Sequence, residues 1–154
     1  IESFKWSDDY KHFIEEADVV IVSDYDKGYL TDIDLRKIAA HSKLSILDSK
    51  RKLTDRVINS FNFVKLNEEE WENNKGLDDK NIIVTLGARG SMYMGEIFSS
   101  DNPQETIDVS GAGDTFTAAF ALSYVTAPSV PNAIKYANTV ASKVVSKRGV
   151  KTPA

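Results

Sequence analysis

The stretch of this sequence best suited to chemistry is DVSGAGDTF at residues 108–116, in which Gly111, Ala112 and Gly113 directly precede Asp114. An apolar helical pattern, TAAFALSYV, follows at once, so the small residues lie where a helix begins. Backbone N–H groups can close around an anion there, and the helix dipole favours the negative charge. A carboxylate in the first turn, beside that anion, can accept the proton of a hydroxyl that attacks a phosphoryl group.

A second interpretation of this stretch is purely architectural. The two glycines would then form a turn and Asp114 would be a helix-capping acid. The stretch does not match a Walker A loop, which requires a following Lys-Ser/Thr pair. It does not match G-x-G-x-x-G either, because Phe116 stands where the third glycine would be. The residues alone leave both interpretations open.

The elements that must position this stretch follow an alternating pattern. Short apolar runs predict buried strands at 18–23, 44–48, 62–66 and 81–86. Helices are predicted after Thr31, at 54–60 and from Asn67, where capping residues precede them. We expect a hairpin around Gly95, a strand at 105–109, and helices at 112–126 and 131–146. The pattern predicts an α/β fold with a mainly parallel sheet, flanked by helices and ending in a marginal antiparallel hairpin.

Composition limits the class of protein. The chain has 154 residues, which suits a single domain over 1–154, and no cysteine. Its net charge of −4 argues against nucleic-acid binding, and it contains no apolar run long enough for a membrane span. The first residues lack an initiating Met and a signal-peptide pattern, so we expect a processed chain or a fragment, located in the cytoplasm.

Several motifs together carry a family resemblance. DVSGAGDTF resembles the C-terminal signature of the ribokinase-like (PfkB) carbohydrate kinases, KLNEEE resembles their N-x-x-E element, and VTLGARGSM resembles their nucleotide-binding strand and turn. SDYDKGYL (23–30), LDSK (47–50), YANTVAS and VVSKRGV are most similar to the heptose 7-phosphate kinase group within that family. The resemblance implies the C-terminal half of a three-layer ribokinase-like fold, without the N-terminal half that supplies most sugar contacts and the lid.

The resemblance also implies roles for individual residues. Asp114 would be the catalytic base, and the backbone of Gly111, Ala112 and Gly113 would form the anion hole. Further residues would bind the nucleotide, namely Lys50, Thr85, Gly87, Gly90 and Asn138. Asn67 and Glu70 would organise Mg²⁺ through water molecules, and a monovalent-cation loop for K⁺ would contain Asp108, Ser110 and the backbone near Gly149.

Each of these roles has a structural alternative. Asn67 and Glu70 have the spacing of a capping box, and Asp108 suits a turn at a strand end. Lys50 lies in SKRK and could be a solvated surface charge, while Gly87 and Gly90 could serve only the hairpin turn. Two positions depart from the family pattern, because Asp26 replaces a small residue and Leu66 replaces a proline.

The resulting functional hypothesis is ATP-dependent phosphorylation of a sugar or sugar phosphate, heptose 7-phosphate-like, with Mg²⁺ and K⁺ as ions. Expected partners are ATP or ADP, the sugar and a second copy of the chain, because a sheet that lacks its neighbouring strands exposes apolar surface and unpaired backbone. The alternative hypothesis is a nucleotide-binding or interaction module without catalysis, derived from a shortened kinase.

Overall fold

Helices and parallel strands alternate along the first part of the chain, as the capped helix starts and buried apolar runs predict. The computed structural model describes residues 3–99 and 111–151, with side chains up to Lys143. The chain divides into two compact units, Ile1–Ile82 and Ile83–Ala154. The prediction of a single domain over 1–154 stays a prediction.

The first unit contains three strands and four helices. In chain order they are α1 (Asp8–Glu16), β1 (Val20–Asp24), α2 (Asp32–His41), β2 (Ser45–Ser49), α3 (Asp55–Ser60), β3 (Phe63–Asn67) and α4 (Glu68–Asn73). β1 pairs in parallel with β2, and β2 in parallel with β3. The parallel arrangement brings the carboxyl ends of the three strands to one edge, where ligands of open α/β sheets bind.

The core of the first unit lies between these strands and the inner faces of α2 and α3. The buried apolar side chains include Leu35, Ile38, Ile46, Leu47, Val57, Ile58, Val64 and Leu66. Strands β2 and β3 are buried along almost their whole length, as expected of strands in the interior of a sheet. α1 differs from the other helices, because none of its residues is buried.

Side-chain caps fix where all four of these helices begin, and Ser7 caps α1 by accepting a hydrogen bond from the Tyr10 N–H. Thr31 accepts a hydrogen bond from the backbone of Asp34, Thr54 from Val57, and Asn67 from Glu70. Each cap satisfies a backbone N–H that has no partner within the helix. The predicted helix starts at Thr31, Thr54 and Asn67 are therefore confirmed.

The second unit contains a hairpin and two long helices. Its elements are β4 (Ile82–Thr85), a 3₁₀ turn (Gly87–Arg89), β5 (Ser91–Tyr93), β6 (Glu96–Phe98), α5 (Ala112–Thr126) and α6 (Val130–Lys151). β4 pairs antiparallel with β5, and β5 antiparallel with β6. Parallel strand pairs therefore occur in the first unit and antiparallel ones in the second. The predicted α/β class, parallel strands and terminal antiparallel hairpin are confirmed.

α5 and α6 pack against each other, and many of their buried residues are small. Ala112, Ala119, Ala121, Ala133, Ala137 and Ala141 are all buried, together with the larger Phe116, Phe120 and Ile134. Alanines allow helix backbones to approach, while the aromatic rings fill the remaining space of the core. This packing holds the beginning of α5, and with it the glycine motif, on a rigid element.

One predicted helix end was wrong, and one predicted strand falls outside the described residues. α6 ends at Lys151 rather than near residue 146, so the predicted end of that helix was too early. The strand predicted at 105–109 lies outside the described residues. None of the helices in the described part of the chain is long and apolar enough to span a bilayer.

Candidate active site

Three of the predicted site residues lie together at the carboxyl ends of β2 and β3. The Lys50 ammonium lies 3.3 Å from Oε2 of Glu70. Oε1 of Glu70 accepts a hydrogen bond from the backbone N–H of Asn67 at 2.9 Å, and Oδ1 of Asn67 accepts one from the N–H of Glu70 at 2.8 Å. The structural alternative, a capping box, is thus observed, and the same carboxylate also holds Lys50.

The Lys50 side chain is half exposed, whereas that of Glu70 is 11% exposed. Burial alone would lower the pKa of the Lys50 ammonium, but attraction to Glu70, the hydrogen bond with Glu70 and the charges of Asp48 and Tyr25 together leave that pKa above its usual value. Lys50 therefore carries a proton at neutral pH. A fixed, partly exposed cation at this edge can contact an anionic ligand without further rearrangement.

A second polar cluster lies beside Lys50 and joins the ends of β1 and β2. The carboxylate of Asp24 accepts hydrogen bonds from the Ser49 hydroxyl at 2.9 Å and from both Nε and Nη2 of Arg51. Arg51 also donates to the carbonyl of Leu30 and to Oδ1 of Asp32. Asp24 is 5% exposed, so this ion pair is almost completely shielded from solvent.

Charge pairing determines the protonation state of this second cluster. Burial would raise the pKa of the Asp24 carboxyl, but hydrogen bonds from Arg51, the Asp26 N–H and Ser49 together keep that pKa below its usual value. The hydrogen bond with Asp24 in turn raises the pKa of the Arg51 guanidinium. Both groups are therefore ionised at neutral pH, and each compensates the buried charge of the other.

A third ion pair joins β2 and β3 directly. The register places Asp48 opposite Lys65, and their charged groups lie 3.7 Å apart. Both side chains are nearly buried, at 13% and 10% exposure. Because cross-strand pairs of opposite charge stabilise a particular register, this pair helps to fix the strand ends from which Lys50 and Asn67 project.

The glycine motif of the second unit has a different construction. Gly111 is the N-cap of α5 with φ of 88°, a left-handed conformation that glycine adopts without strain. Among the described residues no side chain caps this helix end. Since Gly111 has no side chain, the N-cap residue itself offers no acceptor to the first-turn N–H groups, which suits an anion hole.

Asp114 lies in the first turn of α5 and is exposed to solvent. Behind it, the Gly111 carbonyl accepts hydrogen bonds from the N–H and the hydroxyl of Thr115, at 3.0 and 2.8 Å. Ala112 is completely buried, so the helix start is anchored from the inside. The Asp114 carboxylate is therefore accessible at this helix end, and the anion-hole role of Gly111, Ala112 and Gly113 stays a prediction.

The predicted nucleotide-binding glycines form the turn between β4 and β5. Gly87 and Gly90 have φ of 62° and 96°, and the turn closes through hydrogen bonds from Leu86 N to Gly90 O and from Gly90 N to Gly87 O. Thr85 is fully buried at the end of β4. The hairpin role of both glycines is observed, and their nucleotide role stays a prediction.

Asn138 of α6 bridges to the hairpin. Its Oδ1 accepts a hydrogen bond from Ser91 Oγ at 2.7 Å, and its Nδ2 donates to the Phe98 carbonyl at 3.0 Å. The side chain is 2% exposed and both polar atoms have protein partners. The structure gives Asn138 a positioning role for the hairpin, and contact with an adenosine stays a prediction.

The predicted metal-binding residues fit an indirect role only. Within the described part of the chain, no three His, Asp or Glu side chains gather to hold a metal ion. Glu70 still offers lone pairs on a partly shielded carboxylate, and Mg²⁺ commonly keeps several waters, so a water-mediated contact fits. Asp108 and Ser110 lie outside the described residues, and Gly149 lies in the last turns of α6.

Comparison with known proteins assigns the chain to a family. Residues 3–154 match the pfkB family of carbohydrate kinases. The chain belongs to that family. Its curated relatives include the bifunctional protein HldE of a Nitratiruptor species, 29% identical over 93% of this chain, and that of Helicobacter pylori (strain Shi470), 33% identical over 94%. The matched segment covers 35% and 37% of these two relatives, so the chain spans little more than a third of their length.

Solved structures agree with the family. The ribokinase of Arabidopsis thaliana in complex with ribose and ATP is 25% identical, with a TM-score of 0.71 over 91% of this chain and 53% of that chain. The adenosine kinase of Schistosoma mansoni in complex with tubercidin is 21% identical, with a TM-score of 0.70 over 93% and 54%. The second similarity concerns the fold alone, and the predicted ribokinase-like fold is confirmed.

Sequence reasoning missed the functional interest of Asp24 and Arg51. The parallel register places Asp24 opposite Ser49, two residues before Arg51. A polar residue at the end of each of two adjacent predicted strands was the available signal, because parallel strands end at the same edge of a sheet.

Proposed function

We propose that this chain is the nucleotide-binding and catalytic segment of a carbohydrate kinase that transfers a phosphoryl group from ATP to a hydroxyl of a sugar or sugar phosphate. The observation that carries the proposal is the start of α5, where Gly111 leaves the first-turn N–H groups without a side-chain cap and Asp114 stands exposed beside them. Family membership supports the reaction class. The solved relative from Arabidopsis thaliana that holds ribose and ATP supports the choice of ATP as donor.

The chemistry assigned to α5 divides between backbone and side chain. Asp114 accepts the proton of the attacking hydroxyl as its oxygen bonds to the γ-phosphorus of ATP. The bond from that phosphorus to the β–γ bridging oxygen breaks, and ADP leaves with the bonding electron pair. The N–H groups of Ala112 and Gly113 hold the negative charge of the transferred phosphoryl oxygens, assisted by the helix dipole. Orientation and charge neutralisation account for most of the catalysis that phosphoryl transfer requires.

The cluster at the ends of β2 and β3 is assigned to phosphate binding. Lys50, half exposed and held by Glu70 at 3.3 Å, donates a charge-assisted hydrogen bond to a phosphate oxygen of the nucleotide. Glu70 and Asn67 would hold Mg²⁺ through its waters rather than ligate it directly, and the ion would neutralise charge on the phosphates.

The remaining nucleotide and ion contacts are proposals by resemblance. Thr85, Gly87, Gly90 and Asn138 border the nucleotide, and Asp108, Ser110 and the backbone near Gly149 form the K⁺ loop. A heptose 7-phosphate-like acceptor is proposed because SDYDKGYL and LDSK resemble that kinase group and because curated relatives are HldE proteins.

The test is Asp114→Asn in a kinase-length chain that contains these 154 residues. Asparagine keeps the size of the side chain and suits a helix start, but it cannot accept the hydroxyl proton. General-base catalysis contributes about 10²–10⁴-fold, so kcat should fall by about that factor while ATP affinity and melting temperature stay near wild type. The matched control is Asp8→Asn, which changes an exposed first-turn acid of α1 and should leave kcat unchanged.

Near-normal kcat in Asp114→Asn would leave Asp114 as a capping residue and would remove the catalytic proposal. A chain that binds ATP in calorimetry but transfers no phosphoryl group to any sugar, with or without Asp114, would instead favour the alternative of a nucleotide-binding module without catalysis.

A further inference from the structure

A buried arginine lies next to Lys50 and has no assigned function. The Arg51 side chain is 13% exposed, whereas the neighbouring Lys52 is exposed to solvent. An arginine buried on a loop requires carboxylate and carbonyl partners that use its several N–H donors. The identity of those partners indicates what the residue does.

Arg51 holds both ends of one loop. Its Nε and Nη2 donate to Asp24, the last residue of β1, while Nη2 and Nη1 donate to the Leu30 carbonyl and to Asp32 at the start of α2. The segment between these contacts, residues 25–30, is called here the β1–α2 loop. One planar guanidinium thus ties the last residue of β1 to the start of α2, the two ends of this loop.

The β1–α2 loop has a backbone that needs such support. Asp26 has φ of 57° and Gly28 has φ of 80°, and a left-handed conformation is unfavourable for a residue with a side chain. The Asp26 N–H donates to Asp24 Oδ1 at 3.2 Å, so the same carboxylate that binds Arg51 also fixes this turn. A strained loop persists where surrounding contacts determine it, and Arg51 and Asp24 supply those contacts.

The same contacts reach Lys50. Its backbone N–H donates to the Asp24 carbonyl at 3.0 Å, and the Arg51 N–H donates to Ser49 Oγ, which itself donates to Asp24. The base of the Lys50 side chain is therefore fixed through Asp24, and its ammonium is fixed through Glu70. Loss of either support would let the ammonium move away from the phosphate position.

We propose that Arg51 is a positioning residue that fixes the β1–α2 loop and the backbone of Lys50, so that Lys50 meets the nucleotide phosphates in a single orientation. The inference rests on the proposed function for the role of Lys50. The loop contacts themselves are independent of it.

The experiment compares variants that separate the effect of Arg51 on the stability of the fold from its effect on the position of the β1–α2 loop and Lys50. Arg51→Met leaves Asp24 as a buried carboxylate without its cation and should destabilise the fold. Arg51→Met combined with Asp24→Asn removes both charges and should recover much of the melting temperature, yet it cannot restore the bridge to Leu30 and Asp32. Arg51→Lys keeps the positive charge but lacks the fork of donors. Arg56→Met, at an exposed arginine of α3, is the matched control.

Calorimetry with Mg²⁺-ATP and amide hydrogen exchange are the two measurements. Arg51→Lys and the double variant should each weaken ATP binding about tenfold, a loss within the range of one charge-assisted hydrogen bond. Exchange at residues 25–30 should accelerate in both variants while exchange in β2 and β3 does not. Arg56→Met should behave as wild type in each measurement.

Two results would overturn the proposal. The first is wild-type ATP affinity in the double variant once its melting temperature has recovered, since Arg51 would then act on stability alone. The second is unchanged exchange at residues 25–30 in both variants. If the wild-type chain binds no ATP, the proposed function fails, and hydrogen exchange alone still decides whether Arg51 holds the loop.

Discussion

The polar edge of the first unit and the start of α5 in the second unit offer different chemical groups to a ligand. At the edge, formed by Asp24, Lys50, Arg51, Asn67 and Glu70, the groups that can meet a ligand are side chains already paired with one another. At the start of α5 they are backbone N–H groups and one exposed carboxylate, without a side-chain cap among the described residues.

The two constructions respond to different changes. A side-chain cluster depends on charge, because removal of one partner leaves the other buried and unpaired. A backbone site depends on conformation, because a side chain at a position of positive φ shifts the N–H groups that form it. Charge-removing substitutions should therefore act strongly at the edge, and glycine substitutions should act strongly at α5.

The largest effect on ATP binding is expected at Lys50. Lys50→Met removes the ammonium but keeps much of the apolar stem, and hydrogen bonds to charged groups contribute about 1.5–3 kcal/mol. The dissociation constant of Mg²⁺-ATP, measured by calorimetry, should rise about 10- to 100-fold. The melting temperature should fall modestly, because Glu70 loses its cation but keeps its hydrogen bond from the Asn67 N–H. Lys52→Met is the control, because Lys52 is exposed two residues further along the same segment.

Equal affinities of wild type, Lys50→Met and Lys52→Met for ATP would mean that Lys50 is a surface charge that happens to pair with Glu70. The edge cluster would then be structural, and only the start of α5 would remain as a candidate for nucleotide chemistry.

Two glycines at the start of α5, Gly111 and Gly113, test whether the backbone there forms an anion site. Gly111→Ala places a Cβ at φ of 88° and should destabilise the fold by about 1–2 kcal/mol in urea denaturation. Gly113 lies inside the helix, where alanine is favoured over glycine by about 1 kcal/mol, so Gly113→Ala should stabilise the isolated fold. Both variants should weaken ATP binding, because both place a methyl group at the proposed anion hole.

Opposite signs in stability with a shared loss of affinity would identify a backbone-built anion site. A Gly113→Ala variant that is more stable and binds ATP as well as wild type would show that the motif serves only as a turn and helix start.

The comparison also explains which features the sequence could predict. Helix starts at Thr31, Thr54 and Asn67, and the bounds of α5, depend on signals within a few residues, so local patterns sufficed for them. α1 was not assigned as an element, although Ser7 caps it and Tyr10, Phe13 and Ile14 follow a helical spacing, so its local signals were present and were missed.

Non-local contacts were beyond such patterns. Asp24 and Arg51 are 27 residues apart, and their pairing depends on the register of β1 against β2. Asn138 and Ser91 are 47 residues apart, so the amide assigned to an adenosine contact was found to hold the hairpin. Residue types predicted where polar groups gather, but the partners of each group depend on tertiary structure.

The smallest expected effect decides between two roles of Asn67. Asn67 and Thr54 are both N-caps of six-residue helices, so Asn67→Ala and Thr54→Ala should each cost about 1 kcal/mol in urea denaturation. Asn67 differs because its backbone N–H and side chain orient Glu70, which also holds Lys50. Asn67→Ala should therefore also raise the dissociation constant of Mg²⁺-ATP about fivefold, the equivalent of about 1 kcal/mol, whereas Thr54→Ala should not. If both variants lose the same stability and keep wild-type affinity, the capping box is the whole role of Asn67, and the polar edge binds phosphate without help from the start of α4.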